Sequence, residues 1–305
     1  MTLRPFLMPT VIACAALAGC GDGVRISSTH SDNDKARGVL KVVQVLQCPQ
    51  TLGSLTRKGS ASSEGTVCTY VGHKGAEVSL HLVPLDGDTP ADVLKAFERR
   101  LSGDLPEAVA QLRAAAEADE ARVQAETARA AAETARHAAD AAAAGHTDAA
   151  QAEAQPATTA DRASVRAPGV RIETEGEDAS VRLPGVQIET KGDHSSVRIG
   201  GFHIDADDSN GSARVSGSSG DGDDVRINAH ADSAEVRAHA AGPATRASWI
   251  LTNNNPSGSG RRMVAYEARG PVGGPLVVAT VRSRDANRGR VMEDARDLVS
   301  LNVGE

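Results

Sequence analysis

A sixteen-residue repeat in the second half of the chain most constrains what this chain can fold into. The segment Ala163–Thr174 returns as Ala179–Thr190, and a weaker copy runs from Ser195 to Asp205. Each copy contains a short β-rich stretch, a Pro-Gly or Gly-Gly corner and a second stretch in which apolar and polar residues alternate. Alternation with a period of two predicts half-buried strands, and such a unit cannot bury its apolar side alone. The region 162–243 is therefore predicted to form a stacked β-solenoid or a β-meander.

The repeats also predict a contact surface. In such a stack Val and Ile face inward, while Arg, Glu and Thr face outward and are available to a partner. Short Val-x-Ile units with Gly and Asp at their corners resemble the β-repeat domains of bacterial putative adhesins. We therefore expect the outward side to bind an unknown protein or glycan. The candidate contact residues are Arg166, Arg171, Glu173, Arg182, Glu189 and Arg198.

Two shorter regions, 38–103 and 244–305, each have a β-β-β-α pattern. In the first, β-rich stretches at 39–46, 66–71 and 77–83 precede a helix over 91–101, for which Thr89 is the expected N-cap. In the second, three β-rich stretches precede a helix over 287–301. The predicted fold class is α+β. The sequence leaves open whether the two modules pair as one domain with the remainder inserted between them.

The region 104–145 predicts one long alanine-rich helix. Alanine has the highest helix propensity, so this helix needs little support from packing. Between Ala118 and Ala139 alanines recur at spacings of three and four, which is the pattern of a coiled-coil heptad. Alanine methyl groups bury little surface, so the helix is either a loosely held spacer or a weak assembly surface. A polar linker is expected over 146–161.

The N-terminus predicts export and lipid attachment. Arg4 precedes an apolar stretch that ends in small residues, which is typical of a signal peptide over 1–19. The sequence Leu17-Ala18-Gly19-Cys20 resembles the lipobox of bacterial lipoproteins. The resemblance implies cleavage before Cys20, acylation of that residue (with palmitate-type chains) and a membrane anchor followed by a tether over 20–37. Because Gly21 follows rather than aspartate, we expect the periplasmic face of the outer membrane. The alternative is an ordinary secretory peptide with a chance cysteine.

The remaining cysteines predict a disulfide. Cys14 lies within the signal peptide and Cys20 is the lipidation site, which leaves Cys48 and Cys68. Two cysteines in an exported chain are typical of a disulfide bond. A metal pair or a redox couple is the alternative, but the close Cys-x-x-Cys spacing is lacking.

Composition and charge exclude several functions. The formal net charge of −7 and a pI near 5.7 argue against nucleic-acid binding, which needs a basic surface. The acidic segment Asp205–Asn210 begins like a calcium loop but lacks the sixth-position glycine, so solvated turn residues are the other interpretation. Four histidines in the repeat region, His194, His203, His230 and His239, have no cysteine partners nearby. We predict no metal and no cofactor.

The sequence predicts binding rather than catalysis. It contains no G-x-S-x-G, H-E-x-x-H or phosphate-binding loop. We therefore expect a non-enzymatic cell-envelope lipoprotein that binds or adheres through its repeats. One alternative is a structural tether that assembles through the alanine helix. Another is an enzyme with no recognisable motif, for which His73, Glu77 and His81 are the candidate residues.

Overall fold

The computed structural model describes residues 39–144, 162–167, 170–175, 178–183, 186–199, 201–209, 211–218, 222–285 and 289–304. The predicted signal peptide, Cys20, the tether to residue 37 and the linker over 146–161 lie outside these residues. The Pro-Gly corners of the first two repeats, at 168–169 and 184–185, lie outside them as well.

The described residues contain three α-helices, α1 Pro90–Ser102, α2 Pro106–Ala144 and α3 Gly289–Val303. Helix α1 begins where the sequence predicts, because the Thr89 hydroxyl accepts a hydrogen bond from the backbone N–H of Asp92 at 3.2 Å and Pro90 is the first helical residue. Helix α2 runs for 39 residues, which matches the predicted alanine-rich helix. Helix α3 is described from Gly289, and the first two residues of the predicted helix, 287 and 288, lie outside the described residues.

The same residues contain sixteen strands. The strands are β1 Thr51–Leu52, β2 Leu55–Arg57, β3 Val67–Val71, β4 Glu77–Val83, β5 Arg162–Ala167, β6 Val170–Glu175, β7 Asp178–Leu183, β8 Val186–Lys191, β9 His194–Ile199, β10 Phe202–Asp207, β11 Ser212–Ser218, β12 Asp224–His230, β13 Ser233–His239, β14 Thr245–Asn253, β15 Met263–Gly270 and β16 Leu276–Ser283.

All sixteen strands belong to one open antiparallel sheet. From β5 to β16 each strand pairs with the next strand along the chain, so the repeats form a meander. Strand β16 then pairs with β4, with Ala279 opposite Leu80, and β4 continues the sheet to β3, β2 and β1. The predicted α+β fold class is confirmed. The β4–β16 pairing joins the strands of both β-β-β-α segments in one sheet and leaves β5 at its far edge.

The segment 39–46 is not the strand that its composition predicts. Leu40 and Leu46 are buried, whereas Val39, Val42 and Val45 are exposed. The backbone N–H of Lys41 donates to the carbonyl of Val303, and that of Leu46 donates to Gly65. The buried leucines and backbone N–H groups of this segment therefore contact α3 and a nearby loop instead of pairing with a neighbouring strand.

Within the described residues, helices pack on both faces of the sheet around β4 and β14–β16. On the α3 face, defined as the face against which α3 packs, Val291, Leu298 and Val299 join the buried side chains of β3, β4, β15 and β16. The predicted disulfide Cys48–Cys68 is confirmed and Cys68 is buried in this core. It closes a loop between residues 20 positions apart, which stabilises the fold by about 3 kcal/mol in the chain-entropy model.

The opposite face, here called the α2 face, carries α1 and the first part of α2. Leu94, Phe97 and Leu101 of α1 pack with the aromatic residues Trp249 and Tyr266 of β14 and β15. The two aromatic rings stack with their centroids 5.9 Å apart. The chain has only one Trp, two Tyr and three Phe. Its buried apolar residues form two small cores, one on each face of the same strands.

One row of apolar residues crosses the whole sheet on the α3 face. Its members face one another in consecutive strand pairs, from the repeats into the α3 core. The row contains Val165, Ile172, Val181, Ile188, Val197, Ile204, Val215, Ile227, Val236, Ile250, Ala265, Val281, Val78 and Tyr70. A slip of one residue in any pair would turn that strand's apolar set to the other face, so this row fixes the register.

Candidate binding surface

The meander places the predicted contact residues in two neighbouring rows. In the arginine row, Arg171 of β6 is opposite both Arg166 of β5 and Arg182 of β7, and the row continues through Gln187 to Arg198. The second row contains Glu173 of β6 and Glu189 of β8, each opposite Ser180 of β7. Both rows lie on the α2 face, because register connects Arg198 through β10–β12 to Arg237 and then to Trp249. The structure therefore brings together the residues that the sequence singled out.

The two rows carry both signs of charge in local contact. Arg171 donates from Nη2 to Glu173 Oε1 at 2.6 Å, and Lys191 lies 3.2 Å from Glu189. Arg198 Nε donates to His203 Nδ1 at 3.1 Å, while His203 Nε2 is 2.8 Å from Asp205. These groups are exposed or half-buried, so each pair contributes only a few tenths of a kcal/mol and is readily exchanged for a partner.

Helix α2 bounds this surface on one side. Arg122 pairs with Asp207 at the end of β10, and Asp119 is 3.1 Å from Arg214 of β11. Nearer its start, Gln111 accepts a hydrogen bond from the Ser233 hydroxyl of β13 at 2.7 Å. These contacts hold the first part of α2 across β10–β13.

A polar cleft separates α2 from the strands beneath it. Its volume is about 330 Å³, and its lining includes Asp119, Arg122, Asp207, Arg214 and Arg237. The first four of these are already joined in ion pairs across the cleft. The cleft can therefore admit water or a small polar group beside these pairs, but its charges serve to hold the helix.

A half-buried polar network that sequence reasoning missed anchors α1 to the sheet. Glu98 accepts from Arg237 at 2.7 Å and from the Tyr266 hydroxyl at 2.9 Å. Glu235 accepts from the other Arg237 nitrogen at 2.7 Å and from Trp249 Nε1 at 2.8 Å. Burial, together with the nearby Glu98 carboxylate, raises the pKa of the Tyr266 hydroxyl far above its usual value. In the sequence, the charged residues Glu235 and Arg237 at alternate positions of β13 could have indicated this network. The partner Glu98 lies far from them in the sequence, so no local pattern connects the three.

The acidic corner at Asp207 and one of the four histidines, His203, are paired with other side chains. Asp207 accepts from the Ser209 backbone N–H at 3.0 Å and also pairs with Arg122, so its carboxylate is not left for calcium in this arrangement. His194 lines the cleft under α2, whereas His203 pairs with Asp205. In the described part of the chain, no group of three or more His, Cys, Asp or Glu side chains is placed to hold a metal ion.

Of the three residues considered for catalysis, Glu77 and His81 lie too far apart for direct contact. His73 is exposed in the turn before β4, and Glu77 at the start of that strand is 3.5 Å from Arg261. His81 is half-buried with its ring 5.6 Å from that of Phe97. Glu77 and His81 are four residues apart in one strand, a separation of about 13 Å, which is too far for a direct hydrogen bond.

No helix within the described residues is both long enough and apolar enough to cross a membrane. Compared with protein-family models, with curated proteins and with solved structures, the chain gives no match.

Proposed function

We propose that this chain is a non-enzymatic cell-envelope lipoprotein that binds a polar partner through the α2 face of β5–β9. In this proposal acylated Cys20 anchors it to the outer membrane, facing the periplasm. The observation that carries the proposal is the sharing of one face by all six predicted contact residues. The lipobox resemblance supports the location.

The arginine row favours a partner with anionic groups. Like charges directly opposite one another in a sheet are destabilising, yet Arg171 faces Arg182 across a strand pair. No ion pair of Arg182 occurs among the described residues, and its side chain is exposed. Carboxylates or phosphates of a glycan or protein would relieve this repulsion, and guanidinium groups bind both in a bidentate manner.

The fold leaves this surface open in the described parts. Helix α2 packs over β12–β14, and its described ion pairs toward the sheet edge are with Arg214 of β11 and Asp207 of β10. The strands β5–β8 lie beyond these ion pairs, and in the described part of the chain β5 is the edge strand. A partner therefore has access to several strands at once, as extended repeat surfaces generally provide.

Site-specific photocrosslinking in intact envelopes tests the proposal. A benzophenone amino acid at Gln187, in the middle of the arginine row, should give a discrete crosslinked product. The double variant Arg182→Glu and Arg198→Glu should abolish that product, because two of the groups that attract the partner are reversed. The control is Arg113→Glu, which reverses an arginine exposed on α2. A product unaffected by the double variant, or no product from Gln187, would show that this face is not the binding surface.

One observation favours the structural tether as a second candidate. From Val123 to Ala139 every side chain of α2 is exposed, including the heptad alanines Ala125, Ala128, Ala132, Ala135 and Ala139. This alanine seam is open to another helix, although its small methyl groups provide little driving force.

A further inference from the structure

The α3 face of the repeats is apolar over nine strands. Register places three parallel rows of residues on this face in β5–β13, and every position in them is Ala, Val, Ile, Leu, Phe, Gly, Ser or Thr. No charged residue occupies any of these positions. Antiparallel sheets commonly have one face packed on a core and one face in water. The α3 face of the repeats has the composition of a packed face.

The described helices do not cover this face. Helix α3 packs on β1, β4, β15 and β16, while α1 and α2 lie on the opposite face. Ile199 is 49 %, Phe202 51 % and Ile204 37 % exposed, and all three lie together on β9 and β10. The Phe202 ring lies over Gly217 of β11, where an added Cβ would come within 2.2 Å of it. The absence of a side chain at Gly217 thus lets the ring lie low on the sheet.

The remainder of the chain is poorly suited to cover the face. The segment 145–161 contains no Val, Ile, Leu, Met, Phe, Tyr or Trp, and the segment 21–38 contains only Val24 and Ile26. An anionic membrane surface is also a poor match, because the turns along one edge of the face carry Asp193, Asp208 and Asp232. A suitable partner must therefore be a flat, uncharged protein surface.

We propose that this face is the interface of a homodimer in which the sheets of two copies stack face to face. Nine strands at about 4.8 Å and six residues at about 3.3 Å give about 850 Å² per copy, or about 1,700 Å² in total. That area is what specific, stable dimers bury, and the second copy supplies a surface of the required chemistry.

The position of α3 fixes how the copies stack. Because α3 lies on this same face over β15 and β16, two copies stacked in the same strand order would bring their α3 helices into collision. Reversing the strand order places β5 of one copy over β13 of the other and puts β9 on the two-fold axis. The exposed cluster of Ile199, Phe202 and Ile204 then lies at the centre, where interface residues contribute most to affinity.

The dimer has a consequence for binding, which rests on the proposed function of the arginine row. Stacking through the α3 faces turns both α2 faces outward, so the two arginine rows are displayed on opposite sides of one particle. A partner with repeated anionic groups would then be bound by two surfaces, which raises apparent affinity without new contacts.

Sedimentation equilibrium of the mature chain tests the interface. The chain from residue 20 carries Cys20→Ser so that no lipid is attached, and we expect twice the monomer mass at micromolar concentration. Phe202→Asp or Ile204→Asp should weaken the dimer by about a hundredfold or more, because a charge is then buried at the centre. The control Ser216→Asp places the same charge on the α2 face one strand away, opposite Arg226, and should leave the mass unchanged.

Crosslinking gives a second measurement that does not require a disruptive variant. Packed sheets lie about 10 Å apart. With Val197→Cys, the two equivalent cysteines face each other across the two-fold axis, and a bismaleimide of similar length should crosslink them. Ser196→Cys, the preceding residue on the opposite face, should remain monomeric under the same conditions. A monomer at tens of micromolar, equal crosslinking at both positions, or a monomer that retains a fatty acid in native mass spectrometry would overturn the proposal.

Discussion

At the scale of single residues, the surroundings of the His81 imidazole oppose its charged form. Burial lowers the pKa of the His81 imidazole to about 4, and the guanidinium groups of Arg100 and Arg282 contribute further. Its ring lies against Phe97 of α1. Above about pH 4 the His81 imidazole is therefore mostly neutral in the folded protein, whereas in the unfolded chain it takes up a proton below about pH 6.5.

The depressed pKa of His81 predicts a loss of stability in acid. Between the unfolded value of about 6.5 and the folded value of about 4, the unfolded chain binds a proton that the folded protein does not. The contribution of His81 to the free energy of unfolding is thus fully present above the unfolded pKa of about 6.5. It falls as the pH is lowered, by about 3 kcal/mol at pH 4. Urea unfolding should show this pH dependence in the wild type and its reduction in His81→Gln. His73→Gln, which removes an exposed histidine from the same segment, is the control; an unchanged profile in His81→Gln would refute the assignment.

At the scale of elements, α2 is held along its first part and exposed along its second. Leu105, Ala108 and Ala115 are buried against the sheet, and Arg122 makes the last described contact with a strand. The heptad alanines from Ala125 onward lie on exposed turns. The sequence predicted the length of this helix but not this division, because the contacts that hold the first part, such as Arg122 with Asp207, join residues far apart in the sequence.

Hydrogen exchange should reveal this division within α2. Amides of 109–122 should exchange more slowly than those of 125–139, since packing adds protection that an isolated alanine helix lacks. Arg122→Ala should accelerate exchange in the slow half, whereas Arg129→Ala, on an exposed turn, should have only a local effect. Equal protection along the whole helix would instead mean that the alanine seam is covered, as the tether alternative requires.

The sequence predicted local structure well where apolar and polar residues alternated clearly. It failed where the deciding contacts join residues far apart in the sequence. The strands of the repeats and their outward residues followed from alternation of residues such as Val181 and Arg182. The β-rich composition of 39–46 was misleading, because Leu40 and Leu46 pack on α3, which lies more than 240 residues later in the chain. The network of Glu98 with Arg237 and Tyr266 likewise joins residues that no local pattern connects.

At the scale of the whole molecule, the repeats extend a sheet that the two ends of the chain complete together. The core strands β3, β4 and β14–β16 are joined by the β4–β16 pairing and covered by α1 and α3. The meander continues from β14 outward to β5 without returning to this core. Removing its outer strands should therefore shorten the sheet without removing any residue of either core cluster.

Deletion of 163–205 tests this arrangement together with the proposed function. The deletion removes β5–β9 and most of β10, leaves β11 as the edge strand and retains Asp207, the partner of Arg122. We expect the Cys48–Cys68 disulfide to remain protected, the variant to stay in the membrane fraction as long as Cys20 is intact, and crosslinking to the partner to be lost. Cys20→Ser in the full chain is the matched control, because it should release the protein while preserving the repeat surface. If the deletion variant still binds the partner, the binding role belongs to the strands and helices around the two cores. If its disulfide becomes reducible, the repeats are part of the folding unit rather than an extension of it.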